Sequence, residues 1–184
     1  MALVSTAAFL LALTGASGMQ CPGSGSFIHA GLSMVVEAAA PCDTVKGEIK
    51  ARISGKNGWV DPHNAGVYTL LDEKDTELST QRTTNPKTSI GGKVYTDKQI
   101  FTFKSTAPDR CEIEACSESQ GMSVYDANTN YCDLHNLYCN DAVCKAISSF
   151  RTKETQVSPR VGSGGADPSK CVPAAAAEEE AIHV

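Results

Sequence analysis

The chain has 184 residues, a formal net charge of −5 and a hydrophobic share of 41%. That length suggests one domain, and the apolar share excludes wholesale disorder. The acidic balance, with no basic run longer than two residues, excludes binding to nucleic acid through a phosphate-neutralising face.

Residues 1–18 carry no charged side chain, run apolar from Ala7 to Leu13 and end in small residues. This is the layout of a secretory signal peptide cleaved after Gly18. The apolar run is too short for a bilayer, which takes about 20 residues, and nothing after it resembles a membrane span. The mature chain is expected to form one disulfide-stapled β domain over residues 19–152. Residues 153–184 read as a Ser/Pro/Gly-rich tail, tied by Cys171 and disordered at its end. No Asn-x-Ser/Thr sequon occurs, so N-glycans are not expected.

Residues 32–39, with the β-branched pair Val35–Val36, read as a strand. Residues 45–53 place apolar or small side chains at odd positions and Lys46, Glu48, Lys50 and Arg52 at even ones, the period of an antiparallel strand with one wet face. Turn chemistry follows over 54–58, with Asn57–Gly58 suited to positive φ. Strands are expected over 67–71 and around Leu78, a loop over 83–92, a long bulged strand over 94–104, and a further strand through Cys111, Ile113 and Ala115. Short strands at regular spacing with no helical period predict an all-β fold, an antiparallel β-sandwich. The order Cys42, Trp59, Cys111 is compatible with an immunoglobulin-like architecture. Against membership of that family, no Tyr stands two residues before Cys111 and the distal cysteine-rich region is foreign to it. Residues 131–147 predict a short helical turn pinned by disulfides, within a disulfide-rich C-terminal third.

The eight cysteines are Cys21, Cys42, Cys111, Cys116, Cys132, Cys139, Cys144 and Cys171. An even count behind a leader favours four disulfides over zinc, which wants C-x2-C knuckles that this chain lacks. Cys21 and Cys171 are expected to tie the two ends to the body, and a paired set leaves no catalytic thiol.

Two polar segments are candidate sites. Trp59, Asp61, His63 and Asn64 lie on a loop between strands. As a recognition loop, Trp59 would stack on a sugar or an aromatic ligand while the other three hydrogen-bond it. On the other reading, Trp59 plugs the core and Asp61 to Asn64 form a turn around Pro62. Asp126, Asn128 and Asn130 sit at i, i+2 and i+4, the opening of a calcium loop, and Asp133 would complete an irregular site. Tyr131 and Leu137 stand where that motif needs Gly and Glu, so an Asn-rich turn bonding its own backbone competes with calcium. No other cofactor is expected, and no catalytic motif occurs.

The segments Gly58-Trp59-Val60-Asp61-Pro62-His63-Asn64, Cys116-Ser117-Glu118-Ser119-Gln120 and Thr129 through Cys139 resemble a group of uncharacterised secreted cysteine-rich proteins of unicellular algae. The resemblance spans residues 27–171 and implies secretion, but no activity. The function expected from the sequence is a secreted, non-catalytic extracellular binding or surface module, with carbohydrate as a candidate ligand. A structural protein that binds only a protein partner, or a small hydrolase using a carboxylate pair, are the alternatives.

Overall fold

Alternation along residues 31–38 and 110–119 builds two strands that pair over eight residues, from Gly31 opposite Glu118 to Ala38 opposite Cys111. The structure, a computed structural model, describes residues 19–172 apart from 90–91, 141–143 and 161. The predicted leader and the end of the predicted tail lie outside the described residues.

In chain order the elements are β1 (Gly31–Ala38), α1 (Cys42–Ile53), β2 (Val67–Lys74), β3 (Glu77–Thr83), β4 (Thr96–Ala107), β5 (Arg110–Ser119), α2 (Thr129–Tyr138) and β6 (Thr152–Pro159). The strands form one antiparallel six-stranded sheet in the order β2-β3-β4-β5-β1-β6. β2 to β5 are successive hairpins, while β1 is threaded between β5 and β6. The bulge expected in β4 lies at its end, between Ser105 and Ala107.

The register sets the chemistry of the face under the helices. Leu78, Phe101, Ala115 and Met34 form one row across it, and Phe103, Ile113 and Val36 the next. These rows are buried against Val45, Ile49, Leu134 and Leu137 of the helices. Towards the other end the rows turn polar: Thr80, Gln99 and Ser117, then Arg82, Asp97 and Ser119. All six of these polar side chains are buried. Alternation therefore gives the sheet an inner face that is apolar at one end and hydrogen-bonding at the other.

Three expectations are corrected. First, the sandwich and its immunoglobulin-like variant do not describe this fold: among the described residues there is one sheet, and helices cover its inner face. Cys42 does pair with Cys111 and Trp59 is in the core, but that disulfide joins a helix to the sheet.

Second, residues 45–53 are helical. Val45, Glu48, Ile49 and Arg52 are buried, the spacing of one helical face. Pro41 precedes the first turn, Asp43 lies in it, and Lys50 and Arg52 occupy the last, each suited to its end of the helix dipole. The strand reading failed because it counted Glu48 and Arg52 as wet. They are an i,i+4 ion pair, Arg52 Nε donating to Glu48 Oε1 at 2.7 Å with neither side chain exposed. Glu48 also accepts the backbone N–H groups of Ile147 and Ser148, each at 2.7 Å. Arg52 in turn donates to the carbonyls of Asn136 at 2.8 Å and Cys139 at 2.7 Å. The pair thus clamps α1 to the end of α2.

Third, the boundary drawn after residue 152 falls inside the sheet, because Thr152–Pro159 is its edge strand β6.

The disulfides are Cys21–Cys116, Cys42–Cys111, Cys132–Cys171 and Cys139–Cys144. Cys21 and Cys171 do tie the ends of the described chain to its body. On β5, Cys111 faces inward to hold α1, and Cys116, on the opposite face, holds residues 19–30. No described helix is long and apolar enough to cross a membrane.

Burial would raise the pKa of Glu48, but the Ile147 N–H, Arg52 and the Ser148 N–H outweigh it and hold the carboxyl below its ordinary 4.5. Its contribution is therefore present above that value and lost as pH falls. Glu48→Ala strands a buried guanidinium and is expected to cost about 3–5 kcal/mol near neutral pH. Urea unfolding with disulfides intact would show a lower midpoint, and the gap to the wild type should narrow in acid.

Candidate functional site

The segment between α1 and β2 is built on two buried anchors. Trp59, only 8% exposed, packs 6.1 Å from the Tyr68 ring and donates Nε1–H to the Cys144 carbonyl at 3.2 Å. It plugs the core, so it is not the stacking platform that one reading assigned to it. Asp61 is the second anchor. Its carboxylate accepts Arg82 Nε at 2.8 Å and Nη2 at 2.7 Å, Asn136 Nδ2 at 2.9 Å, and the backbone N–H groups of His63 and Gly66. Arg82 also donates to the His63 carbonyl. These bonds fold 61–66 into a tight turn with Asn64 and Ala65 at positive φ. Gly66 is required there, since a Cβ would sit 2.3 Å from the Arg82 guanidinium.

The outer side of this turn faces a cleft of about 490 Å³. Its lining includes Val60, His63, Asn64, Thr88, Lys145 and Lys170. His63 Nδ1 lies 3.1 Å from the Lys170 carbonyl, and Nε2 lies 3.2 Å from the Asn64 amide nitrogen. One neutral tautomer satisfies both contacts, donating from Nδ1 and accepting at Nε2. Burial and the nearby Arg82 hold His63 below its ordinary 6.5, in keeping with that neutral form. Of the predicted loop residues, His63 and Asn64 therefore face the cleft, while Trp59 and Asp61 build the wall behind them.

The four predicted calcium ligands are divided among different tasks. Asp126 accepts the backbone N–H groups of Asn128, Asn130 and Gly164 at 2.7–3.1 Å, and the Asn130 amide at 2.6 Å. It thereby serves the start of α2, where free N–H groups need an acceptor. Asn128 exchanges hydrogen bonds with the backbone of Asp167, 3.0 Å to its carbonyl and 2.9 Å from its N–H. The Asn130 side-chain oxygen Oδ1 accepts from the Ser117 hydroxyl at 2.7 Å. Asp133 points instead at the polar end of the sheet, 3.3 Å from Arg82 Nε and 3.3 Å from Gln99 Nε2. The competing reading, an Asn-rich turn that bonds local backbone, matches this geometry.

Asp133 and Asp97 share one low-dielectric region with Arg82. Burial pushes both carboxyls above the ordinary 3.8, most strongly at Asp133, with Arg82 opposing it. One guanidinium, already taken by Asp61, does not offset the desolvation of the other two acids.

The helical turn expected within 131–147 carries Tyr131, His135 and Tyr138, which share a partner that the sequence did not reveal. They lie at i, i+4 and i+7 on α2, and all three reach Glu154 of β6. The helical spacing was readable; Glu154 was not, because its segment read as tail. His135, Tyr138 and Glu154 border a second pocket, of about 400 Å³.

No protein-family model matches the chain, and no curated protein matches it in sequence. Two solved structures show partial likeness. An aromatase/cyclase, Zhui, from Streptomyces sp. R1128 is 10% identical, with a TM-score of 0.30 over 50% of this chain and 67% of that one. A START superfamily protein from Mycobacterium smegmatis is 13% identical, with a TM-score of 0.31 over 55% of this chain and 84% of that one. Likeness at this level carries neither fold nor function across.

The raised carboxyl of Asp97 means that the folded protein holds a proton which the unfolded chain releases near 3.8. Stability from this group is thus present in acid and lost as pH rises towards the folded value. Asp97→Asn is expected to flatten that decline and to be favoured more at pH 7 than at pH 4, relative to wild type, in paired thermal melts.

Proposed function

We propose that the protein is a secreted binding module whose ligand site is the cleft outside the 61–66 turn, and that its ligand is an acidic oligosaccharide. The observation that supports this most is the composition of the cleft. Val60, Pro62 and Val172 are among its lining residues, together with Lys145, Lys170, Asn64 and Thr88. Sites for small polar ligands combine apolar walls with a few placed hydrogen-bonding groups, and two ammonium groups favour a carboxylate- or sulfate-bearing sugar over a neutral one. The wall is rigid because Asp61 and Trp59 are fixed from behind, so little ordering is required on binding. Four disulfides and the apolar leader support an oxidising, extracellular setting.

Calorimetric titration of the mature protein with an oligogalacturonide and with a neutral oligosaccharide of equal length tests the reading. Tighter binding of the acidic sugar is expected. Lys145→Ala combined with Lys170→Ala should weaken it about tenfold, or about 1.4 kcal/mol, with an unchanged melting temperature. Equal affinity for both sugars, or no binding of either, overturns it, and the second result would favour a module that meets only a protein partner.

A further inference from the structure

Glu154 is the meeting point of α2 and β6. It accepts Tyr138 Oη at 2.6 Å, His135 Nδ1 at 2.8 Å and Tyr131 Oη at 2.9 and 3.0 Å to its two oxygens. Its burial would raise its pKa, yet His135, Tyr138 and Tyr131 together hold it below the ordinary 4.5, so it is a carboxylate at neutral pH. An acceptor of that kind fixes the imidazole tautomer: Nδ1 carries the hydrogen, and in the neutral ring Nε2 carries the lone pair. Among the described residues Nε2 has no hydrogen-bonding partner. The ring cannot turn freely. It stacks on Tyr131 at 5.1 Å and 21° and meets Tyr138 edge-on at 5.6 Å and 75°. The pocket beside it is lined by His135, Tyr138, Asn140, Arg151, Thr152 and Glu154, with Cys139 at its border.

Two phenols already brace Glu154, and an imidazole is not needed for that purpose. What His135 adds is a ring nitrogen with no hydrogen-bonding partner among the described residues, on a ring held by a carboxylate beside a pocket whose lining includes Arg151. We propose that this pocket hydrolyses carboxylic esters of small acyl groups, with His135 as general base and Glu154 as the residue that positions it. His135 Nε2 takes a proton from water as the water oxygen bonds to the ester carbonyl carbon. The carbonyl electron pair moves onto its oxygen, whose charge Arg151, the guanidinium of the lining, balances. Collapse breaks the bond to the alkoxide, and the imidazolium returns its proton to that oxygen, leaving acid, alcohol and a neutral histidine. Water is the only co-reactant.

The test uses the mature, disulfide-bonded protein and an acetylated sugar, glucose pentaacetate, with released acetate as the readout. Release above the protein-free rate is expected. Its kcat/KM at one fixed pH is the quantity compared between variants. His135→Gln should lose at least about a hundredfold, the range of a general base. Glu154→Gln should lower kcat more than it changes KM, and Glu154→Asp should recover part of that loss. Where His135→Gln does not fold, carbethoxylation of His135 in the wild type, located by mass spectrometry, replaces it, and the rate should fall in step with modification of that residue. No acetate release by the wild type, or a rate untouched by loss or modification of His135, overturns the proposal.

Discussion

A guanidinium without solvent exposure sits at the polar end of the sheet, and the arrangement around it depends on satisfying that charge. Arg82 belongs to β3, yet its partners come from across the molecule: Asp61 and the His63 carbonyl in the loop after α1, Asp133 on α2, and the face of Tyr68 on β2 at 5.9 Å. Asn136 joins Asp61 to the Cys171 carbonyl and so brings the C-terminal turn into the same network. A buried ion pair adds little net stability once desolvation is counted. It instead penalises every packing in which a partner is missing. Sliding α2 along the sheet, or opening the 61–66 turn, would strand a charge in the interior, whereas an apolar core would tolerate a small shift.

The same logic explains where the sequence was legible. β1, β2, β4 and β5 announce themselves through alternation and β-branched or aromatic residues, and the Asn57–Gly58 turn through its positive φ. Helix α1 was misread because its buried face contains a glutamate and an arginine, which any hydropathy pattern assigns to water. β6 was missed because Thr152–Pro159 contains few apolar residues: it is an edge strand, and mainly Glu154 and Val157 turn inward. The candidate loop was located correctly, but the roles within it could not be read. Whether Trp59 points in or out depends on the Cys144 carbonyl and Tyr68, partners that no local spacing reveals. Glu154 stands nineteen residues from His135, with the short disulfide loop between them, and no motif links such a pair.

The two pockets are neighbours across a single bond. Cys139 borders the one beside Glu154, Cys144 borders the one beside His63, and the two sulfurs are joined. The rigid elements behind each differ, with α2 and β6 on one side and the Asp61 turn on the other. Each can therefore be altered by substitution without rebuilding its neighbour, although both share this covalent wall.

Threading β1 between β5 and β6 has a consequence for how the chain reaches its native state. The β2–β5 meander needs only hairpin contacts and can pair as soon as it leaves the ribosome, since local closures are fast. β1 is synthesised first but waits for β5, about eighty residues later, and gains its other neighbour only with β6. Until then it carries Val35 and Val36 on an unpaired edge. Premature pairing with another chain is the hazard of such an edge. The charged residues at its end, Glu37 and its cross-strand neighbour Glu112, meet like with like if a second copy of this strand pair approaches. Nascent molecules are thus discouraged from adding to one another before the last strand arrives.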